Sequence, residues 1–149
     1  MPISFQHSVN VSRGPDHVFA ILDDVSRTPE WLERCTRVER LGDGLNTVGT
    51  PLRYSYRDGG RSGTMDGEIT VREPDRHLAM RYRDRMMDVT VDFVVEPRET
   101  GTRPGSRLTH SIEITPRTLP AKLFAPLLRR QLPRQTVKAM ERLQTLAES

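Results

Sequence analysis

"LPAKLFAPLLRRQLPRQTVKAMERLQTLAES", residues 119–149, decides how the rest of the chain is read. Leu119, Leu123 and Leu127 stand four apart, and Val137, Met140, Leu143 and Ala147 continue at spacings of three and four, the pattern of an amphipathic helix. Pro126 and Pro133 should kink or interrupt its first half, because each removes a backbone donor and crowds the carbonyl one turn back. No other stretch is a helix of comparable length.

Upstream, the dominant period is two. "ISFQHSVNV" (3–11) sets Ile3, Phe5, Val9 and Val11 in one row, with His7 among them. Two short helices follow: one in "GPDHVFAILDD" (14–24), opened by Pro15, and one in "SRTPEWLERC" (26–35), where Thr28 caps and Pro29 opens. Six strands are then expected at 36–41, 51–57, 64–72, 78–83, 87–96 and 106–115. Their inward rows hold Leu52, Tyr54 and Tyr56; Met65, Ile69 and Val71; Leu78, Met80 and Tyr82; Met87, Val89, Val91, Phe93 and Val95; and Leu108, His110, Ile112 and Ile114. By the same alternation Arg53, Arg57, Arg72, Arg81 and Arg83 fall on the solvated side, with Asp66 and Glu68 as ion-pair partners. Gly- and Pro-rich turns separate the strands, and "ETGTRPGS" (99–106) is expected to be a mobile loop. Short connections between alternating strands describe an antiparallel meander with one wet face. Its apolar face needs a cover, and the C-terminal helix is the element long enough to give one. A helix cannot fill a strongly curved sheet, so a cavity is expected between them, near His7, His110, Tyr54, Tyr56 and Tyr82.

Composition narrows the function classes. At 149 residues the chain is expected to be one domain, 1–149. Its 23 basic residues, 21 of them arginines, are interspersed with 20 acidic ones and form no nucleic-acid-binding motif, so nucleic acid is not an expected partner. One cysteine, Cys35, excludes an intramolecular disulfide and fits a reducing compartment. No signal-peptide pattern and no apolar run of membrane-spanning length are present, so a soluble cytoplasmic protein is expected.

Four phrases, in order along the chain, carry a resemblance: "TPEWLERCTRVERL" (28–41), "VGTPLRY" (48–54), "GEITVREPDRHLAMRY" (67–82) and "GSRLTHSIEI" (105–114). Together with the element order they resemble the START/birch-allergen-like (SRPBCC) superfamily, in its polyketide cyclase/dehydrase-like branch. The resemblance implies an α+β helix-grip fold: a curved antiparallel sheet of about seven strands wrapped around a long C-terminal helix, with two short helices between strands one and two. It also implies a pocket for a hydrophobic or polycyclic small molecule. Members of the superfamily include aromatase/cyclases, lipid or quinone carriers, hormone receptors and resistance proteins that sequester a toxin, so fold alone leaves activity open. Aromatase/cyclases of this kind use pocket polar groups, often an arginine with tyrosines or tryptophans; the alternation offers no pocket arginine here.

The expected ligand is hydrophobic, aromatic or polyketide-like, with lining residues Trp31, Tyr54, Tyr56, Met65, Tyr82, Phe93, His110, Leu123 and Leu127. First and last strands are neighbours in this fold, which sets His7 beside His110. As catalytic groups the pair would serve as base and acid in a cyclisation and dehydration; as structural groups they would satisfy each other, a tyrosine or a water. The alternatives are a non-catalytic carrier or sequestering protein, or a lipid or quinone carrier docking to membranes through its basic last helix. Membrane contact is not expected while the same leucines are needed to cover the sheet. No cofactor is expected, and no metal, since two histidines without a third ligand make no site.

Overall fold

Alternation sets the sheet. A computed structural model describes residues 2–58, 60–101 and 103–149. The strands are β1 (Ile3–Val11), β2 (Cys35–Arg40), β3 (Pro51–Asp58), β4 (Arg61–Glu73), β5 (His77–Arg83), β6 (Met87–Thr100) and β7 (Arg103–Pro116). They form one antiparallel sheet of seven strands in the order β1-β7-β6-β5-β4-β3-β2. The meander runs from β2 to β7, and β1 closes onto the far side of β7. The expected loop at 99–106 is instead the tip of a long hairpin: β6 and β7 stay paired as far as Thr100 and Arg103, and Gly101 supplies the left-handed turn at φ 69°. Thr102, in the same stretch, lies outside the described residues.

Register stacks the inward residues in layers across the strands. One layer joins Val9, Leu108 and Val95. The next joins His7, His110, Phe93 and Leu78, and the next Phe5, Ile112, Val91, Met80 and Ile69. The last joins Ile3, Ile114, Val89, Tyr82, Gly67 and Leu52. On the wet face, Arg81 meets Glu68 at 2.8 Å and Arg53 meets Asp66 at 3.9 Å.

A bulge in β4 breaks the alternation. The pairing of β4 with β5 shifts between Ile69 and Val71, so Val71 comes opposite Ala79 and Arg72 opposite the buried Leu78. Arg72 therefore leaves the polar side that simple alternation predicts. Its guanidinium grips Asp23 through two bonds, Nε at 3.0 Å and Nη2 at 2.8 Å, and lies 5.7 Å over the Phe19 ring. Burial pushes the Asp23 carboxyl up, but hydrogen bonds from Arg72 and Asn46 and the charges of Arg72 and Arg40 together outweigh it and hold the carboxyl below its usual range.

Helix α1 (Pro15–Asp23) begins at its proline, and Gly14 presents its carbonyl to the N–H groups of His17 and Val18. The second short helix differs from expectation. It is a 3-10 turn at Val25–Glu30 that ends just after Pro29 instead of beginning there. The Thr28 hydroxyl donates to the Val25 carbonyl instead of capping a following helix.

The C-terminal segment is a five-residue helix, α2 (Leu119–Leu123), and a long one, α3 (Ala125–Glu148). The break falls at Phe124, so Pro126 sits in the first turn of α3, where a missing N–H is harmless; the helix runs on through Pro133. The buried stripe of α3 is Ala125, Leu132, Thr136, Ala139, Met140, Leu143 and Ala147. Its far end is tied to β1. Gln144 Nε2 donates to the Asn10 carbonyl at 2.6 Å, and the Ser12 N–H donates to Glu148 Oε2 at 2.8 Å. Leu119, Leu123 and Leu127 are off this stripe, and their exposures of 70%, 72% and 48% take them out of the sheet's cover. The buried positions Ala121, Ala125, Leu132 and Thr136 keep one helical phase across the break, and Leu128 falls on it, whereas Leu119, Leu123 and Leu127 lie on the opposite face.

Candidate functional site

Between the sheet, the 3-10 turn and the first half of α3 lies a cavity of about 200 Å³. The sheet contributes Tyr54, Tyr56, Met65, Met80, Tyr82, Met87, Val89, Val91, Phe93, His110, Ile112 and Ile114; the α1 end and 3-10 region contribute Leu22, Val25, Thr28, Trp31, Leu32 and Arg34. Helix α3 adds Leu128, Gln135, Thr136 and Ala139, and Asp84 stands at the β5–β6 turn. Two glycines of β4 make room for the rings. A Cβ on Gly63 would lie 2.6 Å from the Tyr56 hydroxyl, and one on Gly67 would strike the Tyr82 ring and the Arg81 carbonyl.

Aromatic rings stand in two groups along the wall. Trp31 meets Phe93 edge-on at 5.8 Å, and Phe93 stacks on His110 at 4.5 Å with only 8° between the planes. Tyr82 lies 5.2 Å from Tyr54, which lies 6.3 Å from Tyr56. Burial raises the Tyr82 phenol well above its ordinary pKa, so it stays protonated, and its hydroxyl donates to the Met80 sulfur at 3.4 Å. Burial likewise pushes the Cys35 thiol up to about 11, which leaves it inert as a nucleophile at neutral pH.

His110 is the polar exception in an apolar row. It is 6% exposed, and among the described residues neither ring nitrogen has a hydrogen-bond partner. Desolvation first, and the nearby His7 second, push its pKa down to about 4. At neutral pH it is therefore an uncharged imidazole with one acceptor and one donor to offer. The Trp31 Nε1 and Arg34 Nε donors are also buried without a partner. Asp84 is engaged: its Oδ1 accepts from the N–H groups of Met86 at 2.7 Å and Met87 at 2.9 Å.

Of the residues singled out in the sequence, Trp31, Tyr54, Tyr56, Met65, Tyr82, Phe93 and His110 stand together in this wall. His7 pairs directly with His110 across β1 and β7, but it stacks toward Phe5 at 6.4 Å and is outside the cavity wall. Leu123 and Leu127 are also outside it, because α2 and the first turn of α3 turn them to solvent; Leu128 takes the place expected of them. Arg34, Gln135 and Thr136 were not foreseen. Thr136 was within reach, since stepping by fours from Leu128 through Leu132 leads to it. Arg34 lies in a turn, where no periodicity marks the inward side.

Comparison with known proteins gives the same architecture. The family model described as polyketide cyclase / dehydrase and lipid transport matches residues 2–148. The Zhui aromatase/cyclase from Streptomyces sp. R1128 superposes with a TM-score of 0.78 at 16% identity, covering 99% of this chain and 94% of that one. A START superfamily protein from Mycobacterium smegmatis gives 0.77 at 12% identity, covering 97% of each. Ara h 8.0201 gives 0.68 at 12% identity, covering 99% of this chain and 98% of that one. No curated protein sequence matches. With a family match over residues 2–148, the chain belongs to the polyketide cyclase/dehydrase and lipid transport family, and its helix-grip fold is the one these solved structures share.

Proposed function

We propose that this protein binds a small, flat, hydrophobic molecule, aromatic or polyketide-like, in the cavity beneath the 3-10 turn, with His110 contacting the ligand's polar group. One observation carries the reading: a buried, uncharged imidazole, without a hydrogen-bond partner among the described residues, stands among the apolar and aromatic side chains of the sheet's side of the wall. A buried polar group left unpaired costs about 1–3 kcal/mol, so a ligand hydroxyl or carbonyl that reaches it gains on both shape and hydrogen bonding. Native mass spectrometry of freshly purified protein tests this directly. A co-purified hydrophobic ligand, displaced or weakened in His110→Phe, is expected; a wild-type protein that takes up no flat aromatic compound overturns the reading.

Binding is favoured over chemistry. Cyclisation needs a proton removed between two carbonyls, and a histidine whose conjugate acid has a pKa of about 4 is a weak base for that step. His7, the second candidate, does not reach the cavity. The fitting role is a carrier or sequestering protein. Cyclase/dehydratase activity would require turnover of a polyketide substrate that falls in His110→Ala; unchanged turnover in that variant excludes the catalytic role.

A second reading has its own observation. Leu119, Leu123, Phe124 and Leu127 are exposed together around the α2–α3 break. Residues 114–140 carry six cations and no Asp or Glu, whereas the rest of the chain is net acidic. An apolar ridge edged by cations fits an anionic bilayer. Leu127 faces outward and Leu128 lines the cavity, so the ridge adjoins the ligand wall. Flotation with vesicles containing phosphatidylserine, and none with phosphatidylcholine alone, is the expected result for a carrier that exchanges its ligand at a membrane.

A further inference from the structure

We infer that the cavity ligand is amphipathic and carries a carboxylate, received by Arg34 in a cleft on the outer side of Trp31. This rests on the reading that the cavity holds a hydrophobic molecule, and adds the charge of that molecule and the site that recognises it. The cleft measures about 280 Å³ and shares Trp31, Leu32, Arg34, Gln135 and Ala139 with the cavity wall. The two spaces are thus separated by single side chains. The cavity alone is smaller than the roughly 300–1,000 Å³ of sites for drug-sized ligands, and the adjoining cleft brings the available space into that range.

The two compartments differ in charge. The cavity wall is mainly apolar and aromatic, with an uncharged His110 and with Arg34 and Asp84 as its charged side chains, whereas four cations line the cleft: Arg34, shared with the cavity, and Arg57, Lys138 and Arg142. Its one acid, Glu33, is taken by Lys138 at 3.0 Å and Arg142 at 4.0 Å. Among the described residues, no carboxylate lining the cleft pairs with Arg34 or Arg57. They are held side by side, because the Arg57 N–H donates to the Arg34 carbonyl at 2.9 Å. Arg34 also keeps its Nε sealed from solvent and unpartnered. A guanidinium is permanently charged and presents a planar fork of donors, and a carboxylate is the planar acceptor that matches it. Arg34 belongs to both walls, so a ligand whose rings lie against Trp31 and Phe93 can place a carboxylate at Arg34 without leaving the cavity.

The test compares two probes of one shape, 2-naphthoate and the uncharged 2-naphthamide, titrated near pH 7 by calorimetry and by the fluorescence of Trp31, the one tryptophan of the chain. Wild type is expected to bind the naphthoate about tenfold more tightly than the amide. Arg34→Gln should bring the two probes to parity by weakening the naphthoate alone. Arg34→Lys, which keeps the charge and loses the fork, should retain part of the preference. Equal affinities in the wild type, or a preference that survives in Arg34→Gln, overturn the carboxylate site and leave the hydrophobic cavity standing. Failure of both probes to bind the wild type overturns both readings. Thermal melts of each variant establish that it is folded, and the wild-type comparison shows without any substitution whether a carboxylate is preferred at all.

Discussion

The two ends of the concave face bury the same kinds of side chain by different means. At the end held by the C-terminal half of α3, Val11, Val95, Leu108, Met140 and Leu143 are packed solid, with Gln144 and Glu148 bonded to β1. At the other end, Tyr54, Tyr82, Phe93 and His110 are covered but not filled in, and three side chains there keep polar atoms without partners. One end removes apolar surface from water by contact, the other by enclosure. Only enclosure leaves groups free to recognise something else, and its cost is the contacts and hydrogen bonds not made.

Truncation separates the ends most strongly. Leu143→Ala opens a void in close-packed surroundings and is expected to cost about 2–5 kcal/mol. Val91→Ala, on the cavity wall, mainly enlarges a space already present and should cost about 1 kcal/mol, the transfer of the lost methyl groups. Urea unfolding measures both. Equal losses would mean that the cavity end is packed like the rest of the core.

Acid sharpens the contrast next. The folded-state pKa of His110, about 4, lies below the 6.5 of an ordinary histidine, so between these values the unfolded chain binds the proton and the folded one does not. Stability contributed by the neutral ring is complete above about pH 6.5 and is lost as pH falls toward 4, by about 3 kcal/mol over the window. His110→Phe keeps the stack on Phe93 and should flatten the curve across that range. Subtracting the two curves isolates His110 from the other three histidines. The Asp23–Arg72 pair acts in a lower range: the Asp23 pKa is depressed, so its contribution is present above the ordinary carboxylate value and disappears below it.

What was legible in the sequence follows the same division. Strict alternation marks the strands, and with it the inward Tyr54, Tyr82, Phe93 and His110, because a sheet with one wet face imposes period two on every strand. The pairing of His7 with His110 was expected from the fold that the family resemblance implies, in which the first and last strands are neighbours. Features that break periodicity were hidden. The bulge between Ile69 and Val71 carries Arg72 inward without any change in residue type. Arg34 occupies a turn. Leucines four apart say that a helix has a face, not where that face points, and Leu123 and Leu127 lie on the face opposite the buried Ala121, Ala125 and Leu132. The open end of the face is the less legible one because its residues are set by turns, and by which face of a helix turns inward, instead of by alternation.

Gly67→Ala probes that end from within. The added Cβ meets the Arg81 carbonyl at 2.6 Å as well as the Tyr82 ring, and backbone cannot move aside as a side chain can. A loss of about 1–3 kcal/mol is expected, with Tyr82 displaced into the cavity. Weaker quenching of Trp31 by 2-naphthamide would report the narrowing, whereas an unchanged affinity would mean that Tyr82 does not shape the bound state.

The smallest effect on stability falls on the outer side of the same end. Leu123 and Leu127 are exposed, so replacing both by serine should change unfolding free energy by no more than about 0.5 kcal/mol each. Retention of the naphthoate and naphthamide affinities is also expected, since neither side chain lines the cavity. Flotation with phosphatidylserine vesicles should fall sharply, because the apolar insertion is lost while Lys122, Arg129 and Arg130 remain. Undiminished flotation would mean that the cations alone hold the protein to the vesicle, a purely electrostatic contact that rising salt would abolish. A large drop in stability would instead show that the two leucines still cover the sheet.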